Sequence, residues 1–268
     1  MSEGLPLPSE QYTYEGLPSL RPQTLQQRRE GIFLLCSGIF LGSLSVLNVL
    51  SVTRFLNMSF DILGYHIPFM VPVGVLPYPI TFLCTDFISE LYGKKRASQV
   101  VWMGLILNAW VLFILWLGGV LPGELPSSYD PNSIEGSRVN AFFTIRTLTF
   151  GAVVASMISY LFAQLVDVHI FHFWKRKTQG KHLWLRNNAS TLVSQFVDTF
   201  SVILITHYYA QALYIDPSQS TFSQLWTYIY SGYVFKASCA LVDTLPFYIG
   251  TQKLTRYLRL PPVHETPS

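Results

Sequence analysis

Charge is what this sequence has least of. Asp, Glu, Lys and Arg make up 12% of its 268 residues, about half the share usual in a soluble domain. Cysteine is nearly absent. Cys36, Cys84 and Cys239 exclude a disulfide framework and a dense cysteine metal site. His169 and His172 stand three apart with no third ligand, so they read as interfacial residues and no metal is expected. No glycine-rich phosphate loop is present, which excludes ATP hydrolysis by the chain itself. No serine nucleophile elbow is present either. Asp86 sits in Cys-Thr-Asp-Phe and Asp198 in Phe-Val-Asp-Thr, without the glycine flank of an intramembrane aspartyl protease. The expectation is a non-enzyme with no catalytic residue and no cofactor. A net charge of +3 is too small to suggest a nucleic-acid partner.

What is present is long apolar sequence. Half of the residues are hydrophobic. Residues 31–53, 62–85, 97–123 and 147–166 carry no charge, 187–215 carry only Asp198, and 217–252 only Lys236 and Asp243. A helix needs about 20 apolar residues to cross the hydrocarbon core. Six spans follow, near 31–53, 68–92, 97–121, 147–170, 188–212 and 226–250. Lipid offers no partner to open backbone, and the runs are too long for barrel strands, so the spans are read as helices.

An even number of spans puts both termini on one side. That side holds fourteen basic residues: Arg21, Arg28, Arg29, Lys94, Lys95, Arg96, Lys175, Arg176, Lys177, Lys181, Arg186, Lys253, Arg256 and Arg259. The other side holds Arg54, Arg138 and Arg146. Positive charge stays in the cytoplasm, so both termini are expected there. The fold class is therefore all-α, a six-helix transmembrane bundle in the lipid bilayer. Residues 1–28 read as a flexible cytoplasmic leader, 29–256 as the membrane domain, and 257–268 as a C-terminal tail. The 122–142 segment reads as an external connection.

Ionisable side chains inside such spans cost about 2.5–3.5 kcal/mol each at the bilayer centre. They usually face the bundle interior and mark a pathway. Asp86 and Asp167 each lie eight residues before a basic loop, about 12 Å inside at 1.5 Å per residue. Asp198 and Asp243 lie about 15–18 Å inside. Four carboxylates from four helices thus fall near one level, with Lys236 deeper, where transporters hold substrate. Asp243 could alternatively serve only to neutralise Lys236. Glu90 and Tyr92 lie close to the interface, where a structural role is favoured.

Each carboxylate has polar neighbours on its own face. Gln164 and Asp167 are three apart; Thr191, Gln195 and Asp198 are spaced four and three; Asp86 and Glu90 are four apart. A carboxylate beside an amide suits a planar ligand with adjacent N–H donors. Phe82, Phe196, Tyr92 and Tyr233 could stack on its ring. Pro68, Pro72, Gly74, Pro77 and Pro79 precede a clean helix from about Ile80, which fits a discontinuous helix or an external loop running into a short span. Gly151, Ala155, Ser159 and Ala163, and likewise Gly38 and Gly42, are small residues at steps of four. They are packing signals first, and they leave a homodimer open.

Three segments carry a family resemblance: Pro79-Ile-Thr-Phe-Leu-Cys-Thr-Asp86-Phe-Ile-Ser-Glu90-Leu-Tyr-Gly93, Gln164-Leu-Val-Asp167-Val-His-Ile-Phe, and Leu185-Arg-Asn-Asn-Ala-Ser190-Thr191-Leu-Val-Ser-Gln195-Phe-Val-Asp198-Thr199. Tyr233-Val-Phe-Lys236 through Pro246 fits as well. In matching order over 31–255, they resemble the queuosine-precursor transporters of the YhhQ type. The resemblance implies a bacterial inner-membrane protein that imports 7-cyano-7-deazaguanine and 7-aminomethyl-7-deazaguanine, with queuine as a further candidate, for tRNA modification. It carries over Asp86, Glu90, Gln164, Asp167, Ser190, Thr191, Asp198, Thr199 and Lys236 as functional positions.

The chemistry of a deazaguanine agrees with that set. Its N–H edge suits Asp198 or Asp167, and its carbonyl oxygen suits Lys236, Gln195, Gln164 or Asn188. The expected arrangement has Asp167 and Asp198 flanking the ligand. Proton coupling, facilitated diffusion and a partner ATPase module all stay open at this point. So does a non-transport reading, a membrane scaffold that tolerates Asp-to-Asn changes.

Overall fold

The computed structural model describes residues 11–51, 54–122, 134–178 and 183–261. Of these, 76% are helical. Six α-helices follow in chain order: α1 (Pro22–Leu50), α2 (Tyr78–Tyr92), α3 (Lys94–Val120), α4 (Ile134–Lys177), α5 (Leu183–Tyr208) and α6 (Thr221–Tyr257). Among the described residues, three stretches are long and apolar enough to cross a membrane, Pro22–Leu50, Lys95–Val120 and Gly136–Ala163. The chain is a helical membrane protein. In α5 and α6 the apolar runs are interrupted by Gln195, Asp198, Lys236 and Asp243.

The chain divides into two compact units, one of residues 1–45, 77–107 and 239–268, the other of 46–76 and 108–238. In the first unit, α2 is set by its prolines. Pro77 caps it and Pro79 lies in its first turn, where a missing N–H costs nothing. The helix stops at Gly93, whose φ of +84° suits a residue without Cβ. Its 15 residues span about 22 Å, short of the ~30 Å hydrocarbon core. The second expected span, 68–92, is therefore helical only over its last 15 residues. Pro68, Pro72 and Pro77 remove backbone donors from its start, which forms a strand and a 3-10 turn instead.

Cys36, Cys84, Ile88 and Val100 bring α1, α2 and α3 together in one apolar cluster. A second cluster joins Leu91 and Tyr92 to Leu258 and Leu260. Beside it the buried Arg29 guanidinium donates to the Leu258 and Arg259 carbonyls at 3.1 and 3.2 Å. Those carbonyls follow the end of α6, where no helical donor remains. Residues ahead of α1 reach the same place: Tyr14 Oη donates to Leu260 O at 2.8 Å and Tyr12 N to Arg259 O at 3.0 Å.

The second unit begins with a β-hairpin that an all-α expectation does not contain. β1 (Phe55–Asn57) pairs antiparallel with β4 (Met70–Pro72), and β2 (Phe60–Ile62) with β3 (Tyr65–Ile67). Both pairings share one register, and Met58 N–H donates to Phe69 O between them at 2.8 Å. They form one ladder, interrupted beside Pro68, which has no donor. Leu63 (φ +51°) and Gly64 (φ +82°) close it as a two-residue turn with both dihedrals positive. A 3-10 turn, Val73–Val75, leads out toward α2.

α4 has 44 residues, about 66 Å, and overruns the expected 147–170 span at both ends. Charged residues such as Arg138 and Lys177 have good helix propensity, so charge does not end the helix. α4 and α5 pack along one another. The stripe Ala155, Ser159 and Ala163 is buried, as its spacing predicts. A Cβ on Gly151 would stand 2.6 Å from the Ala210 Cβ, so that approach requires glycine. Gly38 and Gly42 have nothing within 4 Å of a built Cβ. Ile203, Leu225, Tyr228 and Ile229 form the core between α5 and α6, with Phe55 and Met70 of the hairpin packed on it.

Candidate substrate site

In the second unit, α5 and α6 meet at a glycine. A Cβ on Gly232 would lie 3.2 Å from Thr199 Cγ2, so the helices run close there. One turn further along α6, Lys236 Nζ donates to Asp198 Oδ2 at 2.7 Å. The lysine side chain is 6% exposed and the aspartate 26%. An ammonium this buried requires a carboxylate partner, because an unpaired charge there costs several kcal/mol. The partially exposed carboxylate has spare acceptor capacity beyond the one hydrogen bond.

Gln195 stands one turn before Thr199 on α5. Its Oε1 is buried and accepts no hydrogen bond among the described residues. Such an acceptor can take an N–H donor. Thr199 Oγ1 donates to Gln195 O at 2.9 Å and keeps acceptor capacity. Phe196 and Tyr233 form an edge-to-face pair, centroids 5.5 Å apart, on the same two helices. Phe196 also stacks with Phe200 at 6.0 Å. Thr191 lies half-buried one turn before Gln195, as the spacing predicts. Thr191, Gln195, Phe196, Asp198, Thr199 and Lys236 therefore fall in one unit. Gly232 and Tyr233, the positions that let the helices approach and supply the second ring, carry a weaker signal in the sequence.

The remaining expected residues are placed as follows. Phe82, Asp86 and Glu90 lie on α2 in the first unit. Phe82 packs edge-to-face with Tyr78 at 5.3 Å. Asp86 and Glu90 are exposed and Asp243 is buried. Phe87 stacks with Phe247 at 5.7 Å and abuts Gly250, which brings α2 against α6. Asp86 and Asp243 are within electrostatic reach of each other on these helices. Asp243 Oδ2 has no hydrogen-bond partner among the described residues. The ion-pair partner of Lys236 is Asp198, the carboxylate expected to hold ligand. Tyr92, a candidate ring, instead donates its hydroxyl to Arg29 O at 2.7 Å and is structural. Gln164 and Asp167 are in α4, and Ser190 and Asn188 in α5; their side chains lie outside those described.

A helical membrane protein with a buried ion pair, an unpartnered amide and a ring pair between two helices has the makings of a solute carrier. The family described as "Putative vitamin uptake transporter" matches residues 72–250, and the chain belongs to it. The chain is 29% identical over 184 residues to the "Probable queuosine precursor transporter" of Bacillus subtilis, covering 68% of this chain and 72% of that one. It is 24% identical over 208 residues to the "Queuosine precursor transporter" of Escherichia coli, covering 76% and 83%. A Haemophilus influenzae protein, also named "Probable queuosine precursor transporter", is 23% identical over 65% of this chain and 66% of its own. No solved structure matches the chain.

Proposed function

We propose that this protein imports 7-deazaguanine precursors of queuosine, 7-cyano-7-deazaguanine and 7-aminomethyl-7-deazaguanine, across the bacterial inner membrane for tRNA modification. The observation that carries the reading is the Lys236–Asp198 pair beside the unpartnered Gln195 Oε1. Lys236 approaches the ligand carbonyl, Asp198 and Gln195 Oε1 accept from its N–H edge, and the Phe196–Tyr233 pair flanks its ring. Thr191 and Thr199 supply hydroxyls. Gln164, Asp167 and Asn188 complete the set in this proposal.

In the same reading all six helices cross the bilayer, α2 as a short segment entered through the hairpin, and both termini are cytoplasmic. The 14:3 distribution of basic residues supports that orientation. The purified chain, reconstituted alone in liposomes, is expected to take up labelled 7-cyano-7-deazaguanine saturably, and Asp198→Ala to abolish uptake while the protein still inserts. Full uptake by Asp198→Ala refutes the assignment. Uptake by wild type only with an ATPase module present would make the chain a binding subunit instead. A pH gradient that accelerates uptake identifies proton coupling, and indifference to it identifies facilitated diffusion.

A further inference from the structure

The second unit holds a cavity of about 630 Å³ that none of these roles uses. It lies between the foot of the hairpin, the connection from α5 to α6, and the first turns of α6. Its walls are fixed. Phe55 packs on Tyr228 with centroids 4.6 Å apart. Met70 N–H donates to Ser231 Oγ at 3.1 Å, and Tyr228 Oη to Tyr214 O at 3.2 Å. The Gln224 side chain clamps the connection by accepting from Asp216 N and donating to Asp216 O, both at 2.9 Å.

Two opposite charges line this one space, Arg54 and Asp216, and they are not ion-paired with each other. Arg54 is exposed, with no described partner for its guanidinium. Asp216 Oδ1 accepts from Ser218 N and Oγ at 2.9 and 2.7 Å, which fixes the carboxylate in place. A guanidinium matches adjacent acceptors on a planar ligand, and a carboxylate matches adjacent N–H donors. A second, apolar concavity adjoins the cavity. Pro68 and Thr227 line both, and the second reaches Phe196 and Tyr233 on the helices that carry Asp198 and Lys236.

We propose that this cavity is a capture site for planar nitrogen heterocycles, with Arg54 on the ligand's carbonyl edge and Asp216 on its N–H edge, upstream of the Asp198–Lys236 site. The choice of heterocycle rests on the import reading above. Charges of both signs lining one cavity favour a neutral ring that carries both acceptors and N–H donors over a simple anion or cation.

The test measures concentration dependence of 7-cyano-7-deazaguanine uptake by full-length chain in liposomes. Arg54→Ala and Asp216→Asn are each expected to raise the half-saturating concentration about fivefold or more, the loss expected of one charge-assisted hydrogen bond. Asn keeps an oxygen for Ser218, so that variant retains its turn. Arg54→Lys is expected to recover part of the affinity, which a merely structural role for the arginine does not predict. Wild-type uptake with unchanged half-saturation in both variants overturns the capture site alone. A wild type that neither binds nor carries the probe overturns the import reading and this site together.

Discussion

Lys236 and Asp198 tie α6 to α5 through a 2.7 Å ion pair in which the cation is the more buried partner. The asymmetry has consequences for substitution. Asp198→Ala leaves an ammonium stranded and is expected to destabilise the protein by about 3–5 kcal/mol. Lys236→Met leaves a carboxylate that can still reach water and is expected to cost less. The double variant Asp198→Leu/Lys236→Met is expected to regain most of the lost thermal stability, since apolar replacement of a whole buried pair is close to neutral. Uptake is expected to stay absent in all three. Restored uptake in the double variant would show that the pair serves packing rather than solute.

Gly151 and the Gly38–Gly42 pair look alike in sequence and differ in surroundings. Gly151→Ala is expected to destabilise by about 1–3 kcal/mol through overpacking against Ala210. Gly38→Ala and Gly42→Ala meet open space and are expected to be neutral or stabilising by up to about 1 kcal/mol. Thermal unfolding of the three purified variants in one detergent checks the contrast.

Leu63 is 93% exposed at a positive φ, a conformation that favours Asn or Gly. Leu63→Asn is expected to stabilise the hairpin by roughly 0.5–1 kcal/mol. Gly64→Val is expected to weaken it by at least ~1 kcal/mol. Hydrogen exchange at the amide of Met58, which donates to Phe69 O within the hairpin, reports both changes.

Two donors from Ser218, the backbone N–H before the hydroxyl, hold the Asp216 carboxyl below its ordinary value of 3.8. A depressed folded value gives a contribution that is complete above the unfolded value and is lost as pH falls through the folded one. The charge of Asp216 is therefore expected to persist unchanged from pH 7 to pH 5. Half-saturation in Asp216→Asn should then differ from wild type by the same factor at both pH values. A factor that shrinks toward pH 5 would contradict the cap.

The long helices were legible because lipid imposes a length and a ban on charge, and both are visible in residues 31–53 and 97–121. Helix ends were not. Charge is what the span estimate stops at, while a helix such as α4 continues across Arg146 and through Lys177. The hairpin escaped because a ruler of uncharged runs absorbed 62–67 into the approach to a span. The alternation around Leu63-Gly64 carried the signal instead. On α5, a spacing of four and three placed Thr191, Gln195 and Asp198 together without reference to any other helix. Choosing which lysine partner was real needed the approach at Gly232, a tertiary fact that no single-helix periodicity contains.

Gly93 is the whole connection between α2 and α3. A one-residue joint has no slack to absorb displacement. If α2 tilts or turns during a working cycle, two backbone torsions at Gly93 must take up the motion, and Lys94 must follow. Glu90 stands three residues from that pivot and Asp86 seven, so the same rotation swings the aspartate through the wider arc.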